Sequence, residues 1–411
     1  MTVVAVETVW RLESTRLIAA LVRITRDVGL AEDLAQDALV AALAQWPQEG
    51  VPANPGAWLM AVAKRRAIDG FRRRERQDQA YADLAERRGG DVVDDIASAV
   101  DHVEDDVLRL MFICCHPALG SDAQVTLTLR LLAGLTVEEI ARSFLTSAPT
   151  ISARITRAKK TLAQVSAPAD EPSGDERVER LADVMRVIYL LFNEGYSATS
   201  GDDWMRPELC AEAIRLGRIL STLVPSDPEV RGLIALMELQ HSRAAARTSN
   251  DGAPILLLDQ DRSRWDGQLI RRGIAALAQA DALGGAPGPY VLQAEIAACH
   301  ARARRAEQTD WGRIASLYAS LAATTGSGIV ELNRAVALSK AEGPAVGLAL
   351  LDQLADVPEL AGYHLVPAVR ADLLIQLGRN DEARGELLRA VTLTKNGQER
   401  AILQARIAEL S

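Results

Sequence analysis

Aromatic residues are scarce in this sequence: Phe, Trp and Tyr make up only 4% of its 411 residues. Strands favour aromatic and β-branched residues, whereas alanine and leucine, which are abundant here, favour helices. Cysteine is also rare, and the four present show no disulfide-rich or Cys-x-x-Cys spacing. No apolar run approaches the ~20 residues of a membrane helix, and the first ten residues lack a secretory signal. These absences predict an all-α, soluble and cytoplasmic protein.

Catalytic and metal-binding motifs are absent as well. The sequence contains no phosphate-binding loop, no serine-nucleophile motif and no His-Glu-x-x-His set, and its five histidines are scattered. Cys114 and Cys115 are adjacent, whereas zinc ligands are usually separated by two to four residues, so core packing is the expected role of this pair. We therefore expect no enzyme activity, no metal and no cofactor.

Positive charge is concentrated although the net charge is −9. Lys64–Arg76 contains seven cations and two acids. At helical spacing one face of this segment can follow DNA phosphates, whereas Trp58 belongs to the apolar side. The candidate DNA-binding residues here are Trp58, Lys64, Arg65, Arg66, Asp69, Arg72, Arg73 and Arg76. A solvated helix end is the alternative interpretation.

A second basic segment has the pattern of a helix-turn-helix. Thr136 and Glu139 form a capping box, and Ser147 is placed to cap a second helix that extends to about Leu162. Such a helix suits the DNA major groove, with base contacts near its N-terminus and phosphate contacts beyond. Its polar candidates are Thr150, Ser152, Arg154, Arg157, Lys159 and Lys160. An ordinary antiparallel helix pair is the alternative.

Composition divides the chain into parts. Helical periodicity over 9–77 is followed by a polar, acidic linker over 78–106, and it resumes over 107–165. A linker rich in Pro, Ala and Ser covers 166–176. Residues 177–411 are amphipathic helices, in which Ala335, Leu338, Gly347, Leu351 and Leu354 recur at a constant offset of 36 positions. That spacing predicts tetratricopeptide-like helix pairs.

Together these motifs resemble the extracytoplasmic-function (ECF) σ factors of RNA polymerase. Region 9–77 resembles the promoter-melting domain, σ2, through Glu32–Ala38 and Ala57–Asp69. Region 107–165 resembles the −35-binding domain, σ4, and no σ3 domain lies between them. Leu110–Leu119 resembles the subgroup with a long C-terminal helical-repeat extension, and Tyr189–Tyr196 and Asp259–Asp266 resemble motifs of that extension.

The resemblance implies roles for particular residues. Glu32, Asp33, Gln36 and Asp37 would bind a basic coiled coil of the polymerase β′ subunit, with exposed helix acids as the alternative. The loop 51–56 lies where the family holds a flipped −10 base, so Asn54 is a further DNA-binding candidate, although a plain helix connection fits too. The acidic segment 91–106 would follow the RNA channel, with ordinary disorder as the alternative.

A possible docking site in the tail comprises Asn193, Glu194, Asp259, Asp261, Arg262 and Trp265. These residues are unusually polar for helix-packing positions, although helix caps and inter-helix ion pairs also explain them.

The expected function is that of an alternative σ factor whose C-terminal helical domain modulates its activity. Its partners would be the β and β′ subunits of core RNA polymerase, promoter DNA and a regulatory protein that binds the tail. One alternative is a helix-turn-helix transcriptional activator, which has no need of the acidic helix 32–37. The other is a tetratricopeptide-type scaffold, in which the basic helices are incidental.

Overall fold

A computed structural model describes residues 2–82, 103–144, 146–165, 174–196, 205–249, 255–354, 357–394 and 397–410. These residues form eighteen α-helices and no strand, so the all-α prediction is confirmed. The chain divides into two compact units, Met1–Val224 and Pro225–Ser411. Within the described residues, no helix has the length and apolar character needed to cross a membrane.

The first unit begins with three mutually packed helices: α1 (Thr2–Thr25), α2 (Val28–Glu49) and α3 (Pro55–Ala82). Asp27 starts α2 by accepting a hydrogen bond from the Leu30 amide at 2.9 Å. Leu21 on α1, Trp46 on α2 and Leu59 on α3 are fully buried and form part of the shared core. This core leaves the polar sides of α2 and α3 available for contacts with other molecules.

A second helical group follows in the same unit: α4 (Val103–Cys114), α5 (Ser121–Leu127), a π-helix (Thr128–Leu132), α6 (Val137–Ser143) and α7 (Ala148–Gln164). Helix α4 packs against α1. Cys114 and Cys115 are buried at its end, where burial raises the pKa of the Cys115 thiol to about 12. Both cysteines therefore lie in the core, as the sequence predicted.

The acidic linker is shorter than the sequence indicated. Helix α3 continues to Ala82 and α4 begins at Val103, so only 83–102 separates them, outside the described residues. Asp106, placed in the linker by composition, is buried on α4 and lies 3.0 Å from the Nε of Arg23. The ion pair with Arg23 compensates the cost of burying this carboxylate, which therefore has a structural role in the fold.

Two further helices belong to the first unit, α8 (Gly174–Tyr196) and α9 (Pro207–Leu223). They cross closely at Gly195, where an added Cβ would lie 2.6 Å from the backbone nitrogen of Cys210. Helix α8 also packs on α4 and α5. Arg215 on α9 donates to the carbonyl oxygen of Leu132 at 2.7 Å, which ties α9 to the π-helix.

The second unit is a succession of helix pairs. Its helices are α10 (Pro228–His241), α11 (Gly267–Leu283), α12 (Pro289–Arg302), α13 (Trp311–Thr325), α14 (Gly328–Glu342), α15 (Pro344–Gln353), α16 (Leu365–Gln376), α17 (Asn380–Leu393) and α18 (Gly397–Glu409). From α12 onward each helix packs on the next. The 36-residue offset relates α14 and α15 to α16 and α17, because Ala335 and Ala371 are buried at corresponding positions. Gly347 of α15 lies against the Ala335 carbonyl oxygen, which an added Cβ would approach to 2.7 Å.

Candidate nucleic-acid interface

The helix-turn-helix forms where the capping pattern predicted it. The Thr136 hydroxyl accepts from the Glu139 amide at 3.1 Å, and the Glu139 carboxylate accepts from the Thr136 amide at 2.8 Å. Ser147 caps α7 by accepting from the Thr150 amide at 3.3 Å. Both helices therefore begin at the residues that the sequence specified.

Helix α7 has one buried face and one exposed face. Ile151, Ile155, Ala158 and Leu162 are buried. The exposed candidates are Thr150 and Ser152 near its N-terminus, followed by Arg157 and Lys160. Short polar side chains before cations are the arrangement by which a recognition helix contacts base edges and then phosphates.

Two other candidates on α7 are held in ion pairs. Arg154 Nη2 lies 3.2 Å from a carboxylate oxygen of Asp122 on α5. Lys159 Nζ lies 2.5 Å from a carboxylate oxygen of Glu32 on α2. Phosphate contacts by these cations would have to replace the existing pairs.

Glu32 is buried in this arrangement, contrary to the expectation of an acid available on the surface. Glu32 is only 5% exposed, and the Nε of Arg130 donates a hydrogen bond to its carboxylate at 2.7 Å. Burial would raise the pKa of Glu32, but Arg130 and Lys159 outweigh that effect and hold the pKa below its ordinary value. The carboxylate is therefore ionised at neutral pH and joins α2 to α7.

The other three candidates on α2 remain nearer the surface. Asp33 and Asp37 are exposed, and Gln36 is half-buried. Asp37 forms an ion pair with Arg66 on α3 at 2.9 Å. This pair joins a predicted polymerase-binding acid to a predicted DNA-binding cation.

The start of α3 combines exposed and structural side chains. The Oδ1 of Asn54 accepts from the Ala57 amide at 3.1 Å and so caps the helix. Trp58 is half-buried and packs edge-on against Trp46, with ring centroids 5.3 Å apart. Asn54 itself remains exposed, and its role as a DNA-binding residue stays a prediction.

The basic segment of α3 continues this surface. Lys64 is half-buried, whereas Arg65 and Asp69 are exposed. Three more cations follow on the same helix, but their side chains lie outside the described residues: Arg72, Arg73 and Arg76. Among the candidates whose side chains are described on α3, Arg65 and Asp69 are thus exposed to solvent.

The tail candidates make the contacts of helix caps and internal ion pairs. Glu194 pairs with Arg206, and Asn193 beside it is half-buried. Asp261 caps a short turn by accepting from the Ser263 amide at 2.9 Å, while Asp259 is exposed. Glu194 and Asp261 therefore make contacts typical of an ion pair and a helix cap, and the docking role of this set stays a prediction.

Arg262 and Trp265 link neighbouring helices of the second unit. The Arg262 guanidinium donates to the carbonyl oxygens of His300 and Ala303 at 2.7 and 2.8 Å, at the end of α12. It also lies over the buried Trp265 ring, 5.0 Å from the centroid. These two side chains therefore position the end of α12.

Sequence reasoning missed two half-buried polar residues that join distant parts of the chain. Arg130 has no distinguishing neighbour in its apolar segment, and its partner Glu32 is 98 positions away. The carboxylate of Glu229 accepts from the Tyr290 and Val291 amides at 2.8 and 3.2 Å, at the start of α12. No local sequence pattern signals this capping acid, because Glu229 and Tyr290 are 61 positions apart.

The fold and the polar surfaces define a DNA-binding protein with a helix-turn-helix and a separate basic helix. Comparison with known families assigns 10–77 to Sigma-70 region 2 and 109–162 to Sigma-70, region 4. Residues 180–281 match a family of unknown function, DUF6596. The two σ matches contain the candidate helix α2 and most of α3 and α7.

Relatives agree with these matches. The chain is 30% identical over 159 residues to the ECF RNA polymerase sigma factor SigK of Mycobacterium ulcerans, covering 36% of this chain and 78% of that protein. It is 26% identical over 174 residues to the probable ECF RNA polymerase sigma factor SigI of Mycobacterium tuberculosis, covering 42% and 59%. An uncharacterized protein of Rhizobium meliloti is 44% identical over 401 residues, covering 96% and 93%. No solved structure gives a significant match.

The chain therefore belongs to the ECF RNA polymerase sigma factors. It is an alternative σ factor that binds core RNA polymerase and promoter DNA and directs transcription initiation. The tail matches a family without an assigned function, so its tetratricopeptide-like character remains a proposal.

Proposed function

We propose that α7 reads the −35 element and α3 the −10 element, while the acids of α2 bind the β′ subunit of core polymerase. The observation that carries this assignment is the exposed face of α7, with Thr150 and Ser152 before Arg157 and Lys160. In this assignment the cytoplasmic chain performs no bond chemistry. Strand separation is driven by capture of unstacked −10 bases and by contacts with the polymerase.

The proposed domains are σ2 over 9–77, σ4 over 107–165 and a tetratricopeptide-like helical domain over 177–411. We infer that the tail modulates activity in cis. Its first two helices support this idea, because Arg186 on α8 donates to the Gln124 side chain at 3.1 Å and Arg215 on α9 reaches Leu132. A change in α8 or α9 would therefore reach the scaffold that holds α7. A regulatory protein that binds the tail could act by the same route.

The Glu32–Lys159 ion pair would have to break when the chain binds polymerase and DNA. One side chain is a candidate polymerase contact and the other a candidate phosphate contact, and here they neutralise each other at 2.5 Å. Polymerase and promoter would both compete with this pair. We infer that assembly on polymerase separates α2 from α7 and exposes both charges.

The −35 assignment is tested by reversing one exposed cation, Arg157→Glu, with Arg272→Glu on an exposed site of the second unit as control. Holoenzyme is assembled with each variant, and binding to a cognate promoter is measured by fluorescence anisotropy over a salt series. Loss of a phosphate contact should weaken binding by about tenfold or more and lower the salt slope by about 1. Equal binding by the two variants would argue against a DNA role for α7.

The polymerase assignment is tested at the exposed acid Asp33. Asp33→Lys should weaken binding to core polymerase by about tenfold, because it opposes a basic coiled coil. The matched control is Asp281→Lys, an exposed acid on α11. If both variants bound core polymerase like the unaltered chain, α2 would not be the polymerase-binding helix.

A further inference from the structure

An ion pair links the candidate recognition helix α7 to α5. Arg154 follows Thr150 by four positions and precedes Arg157 by three, so the three side chains share one side of α7. The Nη2 of Arg154 is 3.2 Å from a carboxylate oxygen of Asp122, which lies in the first turn of α5. One cation of the candidate DNA-binding surface is therefore neutralised by a nearby acid.

This ion pair lies within one σ match, unlike the pair of Glu32 and Lys159. Glu32 belongs to the match with Sigma-70 region 2, and Lys159 belongs to the match with region 4. Asp122 and Arg154 both belong to the match with region 4. The proposed separation of α2 from α7 on polymerase would therefore leave the Asp122–Arg154 pair in place when α7 meets DNA.

A buried threonine on α5 adds to this contact. The hydroxyl of Thr126 donates to the Asp122 carbonyl oxygen at 2.6 Å and accepts from Nη1 of Arg154 at 3.5 Å. The Arg154 side chain is only 26% exposed, whereas the Asp122 side chain is 81% exposed. The guanidinium therefore has two partners on α5, while the paired carboxylate faces solvent.

The first turn of α5 is itself held by α8. Arg186 on α8 donates to the Ser121 hydroxyl at 3.4 Å and to the Gln124 side-chain oxygen at 3.1 Å. Gln124 is buried, so the second of these bonds joins α8 to the interior of the domain. These contacts restrain the chain on both sides of Asp122, and its carboxylate is therefore preorganised beside Arg154.

The number of free cations on a DNA-binding helix affects its specificity. Cations that contact phosphates strengthen binding to every sequence, because the phosphate backbone carries no sequence information. A genome offers a vast excess of non-cognate sites, so the ratio of cognate to non-cognate affinity decides where the protein is found. A cation that is paired with a carboxylate contributes less to non-cognate binding, since a phosphate has to displace the carboxylate first.

We propose that Asp122 determines specificity by holding Arg154 away from DNA phosphates, which weakens binding to non-cognate sequences. This inference rests on the proposed role of α7 in reading the −35 element. Releasing the cation should add about one phosphate contact, which corresponds to a salt slope steeper by about 0.9 and to about fivefold tighter non-cognate binding at about 0.15 M salt. A cognate promoter should gain less, because base contacts already fix the register of α7 there.

The test compares Asp122→Ala with Glu138→Ala, which removes an exposed acid from the first turn of α6, so that each variant loses one negative charge. Holoenzyme is assembled with each full-length variant. Fluorescence anisotropy over a salt series measures binding to a cognate promoter and to the same fragment with both promoter elements scrambled. Asp122→Ala should bind the scrambled fragment about fivefold more tightly than Glu138→Ala does, with a steeper salt slope and a lower ratio of cognate to scrambled affinity.

A double variant shows whether the effect acts through Arg154. In the Arg154→Gln background, Asp122→Ala should leave binding to the scrambled fragment unchanged, because no cation remains to be released. The proposal is overturned if Asp122→Ala and Glu138→Ala bind the scrambled fragment equally, or if the gain persists in the Arg154→Gln background. Failure of the −35 assignment is a separate result, since Arg157→Glu would then also leave promoter binding unchanged.

Discussion

A buried carboxylate, Glu32, is the residue on which the contact between α2 and α7 depends. Removing a carboxylate from water costs several kcal/mol, and the cost is recovered only where cations and hydrogen bonds are well placed. Arg130 and Lys159 supply those partners at 2.7 and 2.5 Å. The same carboxylate is therefore a structural element in the free chain and a candidate polymerase contact once it is released.

Substituting Arg130 tests this account. Arg130→Met should lower the free energy of unfolding of the first unit by about 3 kcal/mol, because it leaves a buried carboxylate with one cation and also removes a donor to the Leu135 carbonyl oxygen. Urea unfolding measures the change. The exposed Arg157→Met is the control and should change stability by no more than about 0.5 kcal/mol. Equal unfolding midpoints for the two variants would contradict the proposed role of the pair.

A second prediction concerns His300 and the way in which the stability of the fold depends on pH. Burial, followed by the nearby charges of Arg243 and Arg262, lowers the pKa of His300 to about 4. The unfolded chain takes up this proton near pH 6.5, so the folded state loses stability as the pH falls from about 6.5 to about 4. The loss from this residue should approach about 3 kcal/mol.

Comparison with His300→Phe isolates this contribution, since His241 also has a pKa lowered by burial and is present in both proteins. Unfolding free energies are measured at pH 7, 5.5 and 4.5. The difference between the two proteins should shift in favour of the variant as the pH falls. A difference that stays constant with pH would show that His300 is not held neutral by the fold.

At the scale of helices, glycines mark where backbones approach closely. A Cβ added to Gly232 on α10 would lie 2.6 Å from the backbone nitrogen of Val291 on α12. Gly385 on α17 is exposed, and a Cβ there would have no atom within 4 Å. The two positions therefore predict opposite effects of the same substitution.

Gly232→Ala should destabilise the second unit by about 2 kcal/mol, because the added methyl group forces α10 and α12 apart. Gly385→Ala should stabilise it by about 0.5–1 kcal/mol through helix propensity alone. Guanidinium chloride unfolding followed by circular dichroism measures both changes. Destabilisation by Gly385→Ala, or a neutral Gly232→Ala, would contradict the helix packing described for this unit.

Local sequence patterns predicted where helices begin better than they predicted which residues are in tertiary contact. The capping box of Thr136 and Glu139 specified where α6 begins, because its atoms lie within one turn. The burial of Glu32 was not predicted, since Arg130 is 98 positions away and no periodicity encodes such a pair. The family resemblance implied that Glu32 is available to polymerase, but the tertiary contact with α7 covers it.

For the whole molecule, composition predicted a linker at 166–176, whereas the chain divides into its two compact units between Val224 and Pro225. Pro225 and Pro228 lie at this division, between the end of α9 and the start of α10. Composition reports where the chain is polar, but it does not report that α8 packs on α4 and α5. The two helices after the polar linker thus belong to the unit that contains the σ matches.

This division predicts different outcomes for two truncations. A chain that ends at Val224 should unfold cooperatively, as a compact unit. A chain that ends at Val165 loses α8 and α9 and uncovers the surfaces of α4 and α5, so its midpoint should fall by several degrees or it should aggregate. Differential scanning calorimetry compares the two, and equal midpoints would contradict the packing of α8 and α9.

Of the two truncated chains, only the one that ends at Val224 is a clean test of cis regulation, because it retains all the helices of the first unit. If the chain that ends at Val224 transcribed as well as the full protein under all conditions, modulation by the second unit would be excluded. A change in transcript yield in either direction would support it.

Run-off transcription with purified core polymerase is the most direct test of the central claim. Its templates are promoters recovered by sequencing the DNA that co-purifies with the chain and polymerase. We predict transcripts that require this chain, that start at a fixed position, and that are lost when either the −35 or the −10 element is altered. Absence of any chain-dependent transcript from every such promoter, in reactions where a known σ factor is active, would contradict the account.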